Sequence, residues 1–225
     1  YFTGNEVDEQ AIHLAVSTDG YNFEALNDNQ KIIDQTKGTG CVRDPYIFKA
    51  VDEEGKDCYY IVATDMDAGL GWTSNHAIIF WKSYDLITWE DEYVLDFRSF
   101  AGFENCNRAW APQVIWDKDA GKYMLYLALS EFDDPETEEN EDVAQHYYLY
   151  TSDFKSFTDP EYLYGRRTET VFRSFTAGHP EHGRRPHPKT IQGGRNPMIK
   201  RLARCIREYK WAAILSPLTM IGEVT

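Results

Sequence analysis

The sequence predicts an all-β fold made of β-propeller blades, about two and a half of them, ahead of an atypical basic C-terminal tail. Two repeats that share one period, and a strand rhythm with no helical competitor, carry that prediction. Segments 17–23 (STDGYNF), 83–89 (SYDLITW) and 151–157 (TSDFKSF) each set an aspartate four residues before an aromatic: Asp19 and Phe23, Asp85 and Trp89, Asp153 and Phe157. The aspartates lie 66 and 68 residues apart, and a second phrase, built around Pro45 and Pro112, recurs at 67. Four short alternating runs fill each period, separated by Gly, Asp and Asn turns. Four-stranded units at a fixed period are the mark of propeller blades. A β-sandwich with coincidental internal similarity is the competing architecture.

The elements follow in order. Residues 1–30, with the alternating run AIHLAVS, read as the outer part of one blade. The opening YFTGN reads as the end of a strand and a turn, which places the true N-terminus, and any export signal, upstream. The first full blade is predicted to hold strands at 46–51, 59–64, 77–83 and 92–96. The second is predicted to hold 113–117, 123–130, 146–151 and 161–164. Both contain an acidic Gly-Lys turn between their first two strands, DEEGK and DKDAGK. The next blade is due near residue 179, but there the alternation fades and arginines multiply.

The domain division is therefore 1–165, a partial propeller, and 166–225, a basic tail. Residues 1–165 carry 11 Lys and Arg against 33 Asp and Glu, a net −22, whereas 166–225 carry 12 against 4, a net +8. The acidic front repels nucleic acid and anionic membrane, which argues against both as its partners. The reversal within one blade period favours a frame-shifted or otherwise non-native tail. A basic arm for an acidic partner or nucleic acid is the other reading. The tail's His179, His182, His187 and Glu181 include metal-ligating types, but Pro180, Pro186 and Pro188 argue against a ligand-bearing helix, so no metal site is assigned.

The cysteines, Cys41, Cys58, Cys106 and Cys205, form no CxxC pair, which argues against zinc and thiol-redox chemistry. A disulfide among the first three stays open, because spacing alone does not decide it. No apolar run is long enough to span a membrane, and no signal peptide is visible. The run 131–142 (EFDDPETEENED) holds eight carboxylates, and calcium takes such oxygen ligands. The run lacks the spacing of a calcium loop, so a solvated hairpin is the favoured reading; no cofactor is expected, with structural calcium the one candidate.

Taken together, the segments GCVRDPYIF, YYIVATDM, GWTSNHAIIFWKSYDLITWE, NRAWAPQVIWDKDAGKYMLYLALS and YYLYTSDFKSFTDPEYLYG resemble glycoside hydrolase family 43. The resemblance covers about residues 1–165. It implies a five-bladed β-propeller enzyme of the α-L-arabinofuranosidase or β-xylosidase kind, acting on plant polysaccharide outside the cell or in the periplasm. It also implies an inverting mechanism, in which a general base activates water and a general acid protonates the leaving oxygen, the two carboxyls roughly 6.5–9.5 Å apart.

By motif, the family's base matches Asp44 of the Asp-Pro turn, where the second blade has Ala111. Each blade's innermost strand lines the central channel, so a carboxylate at its start points into the pocket. Arg43 stands beside it and would keep it ionised. The resemblance implies that Trp110 lines the sugar site by stacking. The long loop TDMDAGLGWTSNHA (64–77) adds Asp65, Trp72 and Asn75 as candidate pocket residues. The family's second acid belongs to an Ile-Asp motif in the blade after Trp-Ala-Pro, and its general acid is a Glu one blade further. Neither motif is present in this chain, so the resemblance implies impaired catalysis, with a non-catalytic carbohydrate-binding remnant as the alternative.

Overall fold

A computed structural model of the protein describes residues 1–131 and 144–164. The basic tail with its histidines, and all of the acidic run beyond Glu131, lie outside the described residues. The described chain is all-β apart from three single 3-10 turns. Strands β1 (Ala15–Val16) and β2 (Glu24–Ala25) form a small antiparallel sheet. Strands β3 (Val42–Val51), β4 (Asp57–Asp65), β5 (Ala77–Ser83) and β6 (Glu90–Asp96) form a four-stranded antiparallel meander in chain order. Strands β7 (Cys106–Asp117), β8 (Lys122–Glu131), β9 (Gln145–Thr151) and β10 (Glu161–Tyr164) repeat that order in a second sheet. These are the two predicted full blades, with part of a third before them.

β5 and β10 match their predicted bounds, whereas β3 and β7 start well before the residues that alternation alone suggests. β3 and β7 run through Pro45 and Pro112, residues that have no N–H to give to a ladder. Each proline is absorbed in a bulge. The register slips between Arg43 and Tyr46 in the first blade and between Trp110 and Gln113 in the second. The residue before each proline takes the left-handed conformation, φ 49° at Asp44 and φ 50° at Ala111. The bulge lets the strand bend and continue, where a regular strand would end. At the other extreme, the run AIHLAVS gives only the two residues of β1, and Tyr1–Asn5 form no strand. That segment is instead tied down by the Tyr1 ammonium, which donates to the His13 carbonyl at 2.9 Å, and by the Thr3 amide, which donates to Glu9.

The repeated aspartates have one structural meaning. Asp85 Oδ1 accepts from the amides of Ile87 and Thr88 at 2.9 and 2.7 Å, and the Ser83 hydroxyl donates to it at 3.1 Å. Asp153 takes Lys155, Ser156 and Thr151 in the same way, and Asp19 takes Tyr21, Asn22 and Ser17. An aspartate closing a turn on its own following amides explains why the residue recurs. The next residue is left-handed in all three turns, φ 77° at Gly20, 65° at Leu86 and 56° at Phe154.

Phe154 shows what the turn is for. Its ring is 4.4 Å from Tyr60, 4.8 Å from Tyr123 and 5.3 Å from Phe48, and only 3% of the residue is exposed. It therefore plugs the seam between the blades, assisted by Phe157 against Phe80 at 5.8 Å. The seam belongs to one apolar cluster that also holds Val62, Ile78, Val114, Leu125 and Leu127. A smaller cluster of Ile12, Val42, Ile61, Ile79 and Trp81 lies on the other face of the first blade. Cys41, Cys58 and Cys106 are buried in this framework and no disulfide joins them. Among the described residues no helix is long and apolar enough to cross a membrane, and no cluster of His, Cys, Asp or Glu is arranged to hold a metal ion.

Candidate active site

The two bulges meet at Thr64. This residue ends the buried apolar run of β4 and pairs with Arg43 in register. Its hydroxyl donates to Asp44 Oδ2 at 3.3 Å and accepts the Ala111 amide at 2.9 Å. One side chain thus links the strained turn of the first blade to its counterpart in the second. Asp44 is half-buried there, oriented by a hydroxyl that offers the kind of hydrogen bond an ionised carboxylate accepts.

Beside this pair runs a row of rings and guanidinium groups. The Arg43 guanidinium sits 4.4 Å from the Phe2 ring and 5.4 Å from the Trp72 ring. Trp72 meets Trp110 edge-on at 6.3 Å, and the Arg108 guanidinium lies 5.0 Å from the Trp110 ring. Arg43 also donates to Asn5 Oδ1 at 2.7 Å. Its charge is thus directed toward the N-terminal segment, where it holds residues 2–5 beside the site, rather than serving only as the companion of Asp44 that the sequence suggests. Trp72 is half-exposed and Trp110 partly so, which leaves aromatic faces available next to a carboxylate.

Two predicted pocket residues turn out to be deeply placed. Asn75 is 1% exposed; its amide donates to the Ala109 carbonyl at 2.9 Å, and its oxygen accepts the Trp110 indole at 2.5 Å. Asn75 therefore fixes the ring orientation of Trp110. Asp65 is 3% exposed, and its Oδ1 accepts the Thr39 amide and hydroxyl, both at 2.8 Å, and Gln35 at 3.0 Å. It pins the segment leading into β3. Gly38 is required there: its φ is 70°, and a Cβ would stand 2.2 Å from Asp65 Oδ2. The structure brings Asp44, Arg43, Trp72, Trp110 and Asn75 into one neighbourhood, with Asp65 in register against Val42 just behind it.

Sequence reasoning passed over Thr64, Arg108 and Phe2. For Thr64 a signal existed, since a hydroxyl closes an otherwise apolar run, Ile61-Val62-Ala63. For Phe2 none did, because its partner, the Arg43 guanidinium, lies about 40 positions away, whereas Arg108 stands two residues before the Trp110 ring it meets, a spacing the sequence does show.

The model of a family described as "Probable glycosyl hydrolase domain", related to glycoside hydrolase family 43, matches residues 1–220. The chain belongs to this family-43-related group of glycosyl hydrolases. The match runs on through the basic segment that composition sets apart. Over 158 residues the chain is 28% identical to an α-L-arabinofuranosidase of Bifidobacterium longum subsp. longum, a stretch that covers 64% of this chain and 15% of that protein. The chain thus spans under a sixth of this curated relative. Among solved structures, an exo-β-1,3-galactanase from Clostridium thermocellum is similar at 16% identity and a TM-score of 0.35, over 56% of this chain and 28% of that one.

Proposed function

We propose that this chain carries the general-base portion of an inverting glycosidase that acts on arabinofuranosyl or xylosyl linkages of plant polysaccharide. One observation supports it above the rest. Two blades build the same strained bulge, and only one of them puts a carboxylate there, Asp44 against Ala111. A charge that the scaffold does not need, half-buried among aromatic faces, is what a catalytic group on a repeat should be.

In this reading Asp44 takes the proton from a water as that water attacks the anomeric carbon. Thr64 keeps the carboxylate aimed at it. Trp110, held by Asn75, and Trp72 stack on sugar faces, while Arg43 anchors the N-terminal segment that borders them. The leaving oxygen needs a proton from a second carboxyl, placed roughly 6.5–9.5 Å away to leave room for the water. That acid, and the acid that tunes it, have no motif in this sequence, so hydrolysis by this chain is impaired. The family membership and the arabinofuranosidase relative favour a carbohydrate partner, and the substrate named here follows the sequence resemblance.

The test is release of p-nitrophenol from the aryl α-L-arabinofuranoside and β-xyloside. Slow hydrolysis that disappears in Asp44→Ala, with sugar binding retained, supports the reading. Sugar binding with no hydrolysis in either protein overturns it in favour of a carbohydrate-binding remnant. The engagement of Asp65 by Thr39 and Gln35, which ties up a further carboxylate beside the site, speaks for that remnant.

A further inference from the structure

A cleft lies on the first blade, away from Asp44. It is lined by Ile32, Ile33, Trp81, Trp89, Glu90 and Asp91 among others, and its volume is about 330 Å³. Thr64 and Asp65 pair with Ile78 and Ala77 on β5, and Trp81 stands further along the same strand. From Ala77 to Trp81 that is about 13 Å along the strand, and the cleft opens on the outer strands, whereas Asp44 is on the innermost. At the small end of the ligand-site range, about 300–1,000 Å³, it suits a small ligand.

Its walls have a distinct chemistry. Trp89 Nε1 is buried and has no hydrogen-bond partner among the described residues. A buried indole N–H without an acceptor is costly and rare. The chain bulges at this point, between Phe80 and Lys82, and Asp91 in the bulge takes a φ of 54°. Bulges with a left-handed non-glycine residue are features that re-aim side chains. Glu90 and Asp91 are exposed at the rim, while Glu92 is held by the Thr36 amide at 2.9 Å and by the Thr36 hydroxyl. Ile32 and Ile33 supply an apolar side.

A ligand that satisfies the Trp89 indole N–H must accept from it, and one that meets Glu90 and Asp91 must donate to carboxylates. A cationic amine offers no acceptor to Trp89. An anion meets Glu90 and Asp91. A neutral polyol has hydroxyls that both accept and donate, with C–H faces for the isoleucines and the indole ring. We propose that this cleft is an accessory saccharide-binding site, separate from the Asp44 site, in which Trp89 donates to one sugar hydroxyl and Glu90 accepts from another. The choice of a saccharide among polyols rests on the glycosidase reading above.

The test uses the full chain labelled with nitrogen-15, which has six tryptophan indole N–H groups; Trp89→Phe identifies that of Trp89 by its loss. Titration with xylotriose and arabinotriose should shift the Trp89 indole resonance saturably, and equally in Asp44→Asn. Glu90→Gln should weaken that titration roughly two- to ten-fold, the effect of one hydrogen bond. If the Trp110 indole moves and Trp89 does not, the accessory site is overturned and the glycosidase reading stands. If 1,4-diaminobutane shifts Trp89 and the sugars do not, the ligand class is overturned. If Trp89 responds to sugar while hydrolysis is indifferent to Asp44→Ala, the accessory site stands and the Asp44 reading falls.

Discussion

The first and second blades place Asp44 and Ala111 at the same point of the same bulge, with φ values that agree within a degree, 49° and 50°. The bulge is therefore a property of the blade. Proline demands it, since Pro45 and Pro112 cannot donate to their neighbours, and alanine tolerates it as well as aspartate does. What differs is the side chain alone. The comparison separates what the blade scaffold requires from what one side chain adds at a single position, which a sequence without repeats does not allow.

The largest expected effect breaks the comparison by making the blades alike. Asp44→Ala gives the first blade the residue that the second already carries. Hydrolysis of the aryl glycosides should fall by roughly 10²- to 10⁴-fold, the usual contribution of a general base, while the melting temperature stays within a degree or two. A large loss of stability would show that the carboxylate is structural after all.

The next effect compares the turns. Phe154 and Leu86 occupy one repeat position, but Phe154 fills the seam between blades and Leu86 is 36% exposed. Phe154→Ala should cost about 3–5 kcal/mol in denaturant unfolding, and Leu86→Ala about 0.5 kcal/mol or less. Equal costs would mean that the turn itself, and not the seam, is what the position stabilises.

Thr64→Val should cost about 1–3 kcal/mol, because it leaves the Ala111 amide without its acceptor. Thr64→Ser should restore most of that stability, and an inert Thr64→Val would remove the link between the two bulges. Thr64→Val should also lower residual hydrolysis more than it lowers stability, since it frees the orientation of Asp44.

The smallest effect concerns the three turn aspartates. The amide of Thr88, then that of Ile87, holds the Asp85 carboxyl below its usual range. The Asn22 and Tyr21 amides do the same for Asp19. For Asp153, burial acts in the opposite direction, but the amides of Ser156 and Lys155 together outweigh it. A carboxyl with a depressed folded-state pKa stabilises above its unfolded value, near 3.9, and the stabilisation fades as pH falls toward the folded value. The stability difference between the wild type and Asp153→Asn should therefore shrink below about pH 4. A difference that stays constant from pH 7 to pH 2 would assign the effect to packing alone.

Much of the fold was legible because its signals are local and repeated. The period of the turn aspartates and the alternation of Tyr and apolar residues marked all eight blade strands, β5 and β10 to the residue and the others short at their ends. The largest misses, at the starts of β3 and β7, follow from the bulges at Pro45 and Pro112, which extend the strand through a residue that normally stops it. The candidate site was legible in part. Asp44 stood out against Ala111, and Trp110 against its turn. Asn75 and Asp65 were visible as polar residues in a loop, but their partners, Ala109 and Trp110 for one and Gln35 and Thr39 for the other, lie about 30 positions away in sequence. Nothing local says which polar residue of a loop faces the solvent and which ties distant strands together.

Phe154 has one further consequence, for how the chain is made. Synthesis runs from the N-terminus at about 5–20 residues per second. The first blade is complete at Asp96, but the ring that covers Phe48, Tyr60 and Phe80 arrives with residue 154. Val114 and Tyr123 of the second blade reach that aromatic face earlier, with β7 and β8, so for several seconds it is covered only in part. The aspartate turn that delivers Phe154 is therefore the step at which the seam is closed.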